Sequence, residues 1–135
     1  MDELKAFISA SIPFGRTLGF EVVSISAEEA VFEGAYRDDL TQGGILHGGV
    51  LASLIDSVCA CAAMARTYPQ NYTTTINLQV AYTMPVSRGR VRAVGKCLRE
   101  GGRVLFCEAH VWNEEGQLVG HGTSQLLRIP MPESR

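Results

Sequence analysis

Asp56 has almost no polar company. It stands within residues 50–65, a run otherwise built of apolar or small side chains, with only Ser53 and Ser57 as polar neighbours. A carboxylate in such a setting is costly unless it is paired or has a task. Eight residues earlier, Gly48 and Gly49 follow His47 and open the run. Two glycines at a helix start leave backbone N–H groups unobstructed, and the helix dipole favours negative charge there. A carboxylate able to act as base or nucleophile, and a helix terminus able to polarise a carbonyl, are the two halves of acyl-transfer chemistry. Each half also has a plainer explanation: a structural hydrogen bond for the acid, a tight turn for the glycines. The mid-helix position of Asp56 removes N-capping from that list.

The element that carries both groups constrains how they meet. At about 100° per residue, Gly49, Ala52, Ser53, Cys59, Ala60 and Ala63 fall within about 60° of Asp56. Leu51, Leu54, Val58, Cys61 and Ala65 fall on the opposite side. One face suits burial against a sheet, and the small-residue face suits close approach by a backbone or a ligand. Gly48 and Asp56 would lie about 12 Å apart along the helix axis. A reacting carbonyl needs both groups within about 3 Å. Two antiparallel copies of the helix solve this, with Gly48 of one beside Asp56 of the other. A two-fold dimer with shared sites is therefore expected.

Elsewhere the pattern is a short helix over residues 2–10 that stops before Pro13, then strands over 20–26 and 30–36 with a turn between them. A Gly-rich loop over 41–49 leads into the helix, which reaches residue 66 ahead of Pro69. In 72–83, Ile76, Leu78, Val80 and Tyr82 alternate with Asn77, Gln79, Ala81 and Thr83. Strands over 89–99 and beyond are joined by a two-residue Gly101-Gly102 turn, and 113–116 turns into a last strand over 118–129. One helix between runs of hairpin-linked strands gives an α+β fold with an antiparallel sheet.

Composition narrows the partners. The 135 residues make one domain, 19% of them charged against a usual share of about 25%, so some surface is not meant for water. A net charge of -2 offers no grip on a nucleic-acid backbone. The start lacks a signal-peptide pattern, and the apolar run at 50–65 is short of a membrane span and carries Asp56 near its middle. Four cysteines without a CxxC pair fit free thiols and a cytoplasmic location. His47, His110 and His121 show no metal-ligand spacing, so no metal site is expected.

The stretch from Gly44 to Ser57, reading GILHGGVLASLIDS, resembles the signature of PaaI-like hotdog-fold acyl-CoA thioesterases. In that family a His-Gly-Gly turn opens the central helix, with an Asp eight residues after the first Gly. Thr75-Ile76-Asn77-Leu78 and Gly116-Gln117-Leu118-Val119 look like its following strand and final hairpin. The resemblance implies a hotdog fold over residues 1–135, a long central helix wrapped by a curved antiparallel sheet, with residues 1–15 as an N-terminal helical extension. It implies a homodimer at minimum, often a homotetramer made of two dimers, acting on an acyl-CoA in which coenzyme A belongs to the substrate and no separate cofactor is needed. Carried over by position, Asp56 would be nucleophile or general base. The Gly48 N–H would polarise the thioester carbonyl, with His47 and Gly49 beside it, and Thr75 would help place the water or the carboxylate. Tyr82, Pro85 and Arg88, and Gly102 with Arg103 across the strand turn, would contact the acyl-CoA. Relatives often have Asn or Gln six residues before the motif His. Here Thr41 stands there, with Gln42 one step later, so either side chain is a candidate. A non-catalytic acyl-CoA-binding domain is the rival function, and aromatic and aliphatic acyl groups both remain open.

Overall fold

Small residues at the middle of the sheet decide where the long helix lies. The computed structural model describes residues 1–132, so the last three residues of the expected domain lie outside the described residues. The chain begins with α1 (Asp2–Ser11) and α2 (Pro13–Thr17), followed by β1 (Glu21–Ile25) and β2 (Ala30–Ala35). A miniature hairpin, β3 (Thr41–Gln42) with β4 (Ile45–Leu46), precedes α3 (Gly48–Thr67). Then come β5 (Asn71–Tyr82), β6 (Arg90–Glu100), β7 (Val104–Asn113) and β8 (Leu118–Pro130). The six long strands form one antiparallel sheet in the order β1-β2-β6-β7-β8-β5, with α3 packed across one face. This is the α+β arrangement of a central helix wrapped by a sheet that the sequence implies.

Ala30, Gly95, Ala109 and Gly122 lie opposite one another along a single transverse row of paired residues. Helix α3 sits in the trough they leave. A Cβ on Gly95 would come within 2.8 Å of the Val58 carbonyl oxygen, and one on Gly122 within 2.6 Å of Ile55 Cγ2. Around this contact Leu54, Ile55, Val58, Leu105, Val111 and Leu126 are completely shielded from solvent. Burial of this kind contributes roughly 1.5–3 kcal/mol for each large aliphatic side chain.

Helix α3 extends beyond the apolar run that marks it, and at 20 residues it is long and apolar enough to cross a membrane by length and composition alone. Instead, its apolar residues lie in the protein core. Its surroundings also change along its length. Cys59 and Ala63, on the small-residue face by the helical count, are both fully buried. Cys59 lies near Cys97 and Cys107 of the sheet, and α1 joins the same core cluster through Leu4 and Ile8 while its Phe7 packs against Tyr68 and Tyr72.

Strand β5 departs from strict alternation. Thr75 pairs with Leu126 and Asn77 with Gln125, which leaves Ile76 as an extra, exposed residue in a β-bulge. Thr73 and Thr75 therefore face α3 before the bulge, and Leu78 and Val80 after it. The Gly101-Gly102 turn is also longer than expected, since Glu100 pairs with Leu105 and residues 101–103 bridge β6 and β7.

Candidate active site

The first turn of α3 shares out its backbone donors unequally. His47 is the N-cap, an uncommon residue there, and its Nδ1 accepts the Gly49 N–H at 2.8 Å. A Cβ at position 49 would stand 3.0 Å from that nitrogen, so glycine is what lets the imidazole fold back over the turn. The Val50 N–H donates to the His47 carbonyl. The Gly48 N–H donates to no group among the described residues. It is a free donor at the positive end of a 20-residue helix. Because Nδ1 is an acceptor, the proton of the neutral imidazole belongs on Nε2, leaving a second donor beside the turn.

Neighbouring elements hold this turn. The Tyr82 hydroxyl donates to the Gly48 carbonyl at 2.7 Å, tying the end of β5 to the helix start. Pro85 lies in the segment that follows and lines a shallow apolar hollow with Gly48 and Tyr82. Leu46 N–H bonds the Val86 carbonyl and His47 N–H the Leu40 carbonyl, so the β3–β4 hairpin presents the imidazole at a fixed height.

Asp56 forms a separate group. Its Oδ1 accepts the Thr75 hydroxyl at 2.7 Å. That bond exists because the bulge keeps Thr75 facing the helix. Ser53, a nearer candidate partner in sequence, donates to the Gly49 carbonyl instead. Asp56 is half-buried, with its second oxygen uncommitted among the described residues.

The other residues singled out by sequence divide by position. Thr41 lines a cavity of about 410 Å³ together with His47 and Gly49, and its hydroxyl donates to the Asp38 carbonyl. Gln42 is exposed on the hairpin and does not line that cavity. Arg88 sits at the same end of the molecule as Gly48 and pairs with Glu115 at 2.8 Å, both side chains well exposed. Gly102 and Arg103 lie at the opposite end of the sheet. The strand leaving their turn starts at Val104, which pairs with Leu127, and Leu127 pairs in turn with Thr74, at the end of β5 remote from Tyr82. Within one chain they do not join the group around Gly48. Sequence reasoning missed the role of α2, whose Phe14, together with Leu18 just beyond it, walls the cavity beside His47. It also missed His110 and His121, which meet at 4.6 Å on the outer sheet face near Glu108, and whose pairing only the strand register reveals.

A family model described as the thioesterase superfamily matches residues 43–120, more than half of the chain, and spans both the His47 turn and the Asp56–Thr75 pair. The chain belongs to the thioesterase superfamily. A protein of Saccharolobus solfataricus, named only provisionally as an esterase, is 30% identical over 102 residues (75% of this chain and 72% of the relative). The medium/long-chain acyl-CoA thioesterase YigI of Escherichia coli is 28% identical over 134 residues, covering 86% of this chain and 85% of its own. A solved structure of the TT0310 protein from Thermus thermophilus superposes with a TM-score of 0.79 at 31% identity, over 87% of this chain and 97% of that one.

Proposed function

We propose that this thioesterase-superfamily chain hydrolyses acyl-CoA thioesters to a free acid and coenzyme A, in a PaaI-like site shared between two subunits. The observation that carries the reading is the free Gly48 N–H. It is the one amide of the opening turn left for an oxyanion, while His47 occupies its neighbour. The partner subunit's Asp56 then serves as base for the attacking water or as the nucleophile itself. Thr75 steers that carboxylate through the 2.7 Å bond. Thr41, on the cavity wall, takes the place of the amide side chain that the family resemblance implies there.

The sheet edge supports the sharing. Strand β5 is an edge strand of 12 residues, bonded on one side only. It is also the strand fastened to α3 at both Gly48 and Asp56. Pairing β5 with its own copy about a two-fold axis sets the two α3 helices antiparallel. Exchange of positions 48 and 56 centres that axis on Ala52, a small residue on the open face. The same pairing carries Gly102 and Arg103 of one subunit towards the site headed by the partner's helix, where Arg103 and Arg88 meet the coenzyme A phosphates. A homodimer is then the minimum unit and a pair of dimers the larger one, acting in the cytoplasm.

A panel of acyl-CoA esters with free-thiol detection, run on the wild type and on Asp56→Asn, tests the reading. Thiol release by the wild type that is lost in the variant is expected. Tight acyl-CoA binding with no thiol release by either would replace hydrolysis with a binding role.

A further inference from the structure

Two cavities flank α2, and α3 forms part of the wall of both. The first, of about 410 Å³, lies between the His47 turn and the side chains of Phe14 and Leu18, with Gly49 and Ser53 contributed by α3. The second, of about 310 Å³, lies on the other side of α2. Ile8, Ile12, Phe20, Val22 and Phe32 line it, and Ser57 is its contribution from α3. Both volumes fall in the range of small-molecule sites.

We propose that the two cavities are one path for a linear aliphatic acyl chain, roofed by α2 and running from the catalytic turn to a blind end at Ile8 and Phe32. The inference rests on the thioester-hydrolase reading and adds the substrate class to it. Ser53 and Ser57 are one helical turn apart, so the α3 wall is continuous from one cavity to the other. From Gly49 to Ser57 the path is about 12 Å long. That suits a slender chain of medium length. An aromatic acyl group is short and wide, would fill the first cavity only, and would leave the second one, with Ile8, Ile12 and Phe32 in its wall, without a purpose. The far end suits a methyl terminus: Ile8 and Phe32 are 2% and 3% exposed and belong to the protein core. The charged Arg16 and Glu21 also border the second cavity but are exposed, marking its rim.

The test compares butyryl-, decanoyl- and phenylacetyl-CoA on the wild type and on Ser57→Phe, whose ring fills the second cavity from its wall. The wild type is expected to prefer decanoyl-CoA. Ser57→Phe is expected to lose about tenfold or more in kcat/KM on decanoyl-CoA relative to its own value on butyryl-CoA, since chain-length discrimination follows the space available. An unchanged decanoyl-to-butyryl ratio overturns the path while leaving thioester hydrolysis standing. So does a wild type that prefers phenylacetyl-CoA over both aliphatic esters. A wild type that releases thiol from none of the three defeats the hydrolase reading itself. If Ser57→Phe fails to fold by thermal melting, Ile12→Phe narrows the same cavity from the roof, and its ratio decides in the same way.

Discussion

Over its last two turns α3 is enclosed: Cys61, Ala62, Ala63, Met64 and Thr67 are all buried, between the sheet on one side and α1 with its Leu4 and Ile8 on the other. Over its first ten residues the same helix is closely packed on the sheet side, through Leu51, Leu54 and Ile55, but meets α2 only across cavities, so that Gly49 is exposed and Ala52, Ser53, Asp56 and Ser57 are partly open. Side-chain size does not separate the two parts, since Gly48, Gly49, Ala52, Ser53 and Ser57 stand in one and Cys61, Ala62, Ala63 and Ala65 in the other. What separates them is whether a second layer closes over the helix. The closed part anchors a rigid rod, and the open part uses that rigidity to hold a free amide and a carboxylate at a fixed spacing. Groups on a packed helix are placed more precisely than groups on loops.

If this division is right, substitutions in the two parts should fail in different assays. The largest effect belongs to Asp56→Asn. Turnover should fall by about 10²–10⁴-fold, the usual reach of a positioned acid–base group, with the melting temperature little changed. A large drop in melting temperature would move Asp56 to the structural side. Next is Met64→Ala, in the enclosed part and 1% exposed. It should cost about 2–5 kcal/mol in a denaturation experiment, with kcat per folded molecule unaltered. Thr75→Val probes the link between the parts. Loss of a hydrogen bond to a carboxylate is worth about 1.5–3 kcal/mol, so a ten- to hundredfold fall in kcat is expected, with recovery in Thr75→Ser. Recovery failing in the serine variant would point to packing by the threonine methyl instead.

The smallest effect is chemical labelling. Burial pushes the thiol pKa values of Cys59 and Cys61 up to about 12. At pH 8 only about one molecule in ten thousand then carries either thiolate, the form that reacts. Iodoacetamide should modify the half-exposed Cys97 first and spare both helix cysteines until denaturant is added. Peptide mass mapping reads this directly. Early labelling of Cys61 would mean that the enclosed part of α3 opens more easily than its burial implies.

The parts of this picture that are local were legible in the sequence. Gly48-Gly49 after His47 marks the start of α3, the helical period separates its packed face, and Asp56 stands out by its lack of company. Features that depend on how distant segments meet were not. The partner of Asp56 is Thr75, 19 residues away, and the nearer Ser53 is bound elsewhere. Helix α2 has only five residues, too few for a periodic signal, and contains Pro13 and Gly15. The strands of the small hairpin have two residues each. The small-residue face looks continuous on a helical wheel, yet Cys59 and Ala63 are buried, Cys59 near Cys97 and Cys107 of the sheet, a fact of topology that no window of sequence contains. Likewise, that Gly102 and Arg103 lie far from Gly48 in the same chain follows from strand direction alone.

The bulge at Ile76 gives β5 an unusual vulnerability. The side chain is 55% exposed, so many replacements at that position should be nearly free. Its backbone is another matter, because the extra residue is what lets Thr75 and Leu78 face the same way. Remove one residue there and the strand is thrown out of frame: either Thr75 turns from Asp56, or Leu78 and Val80 turn to solvent. At this single point the chain tolerates almost any letter but no change in the number of letters. Homologous chains are therefore expected to drift in spelling at position 76 and to keep its count.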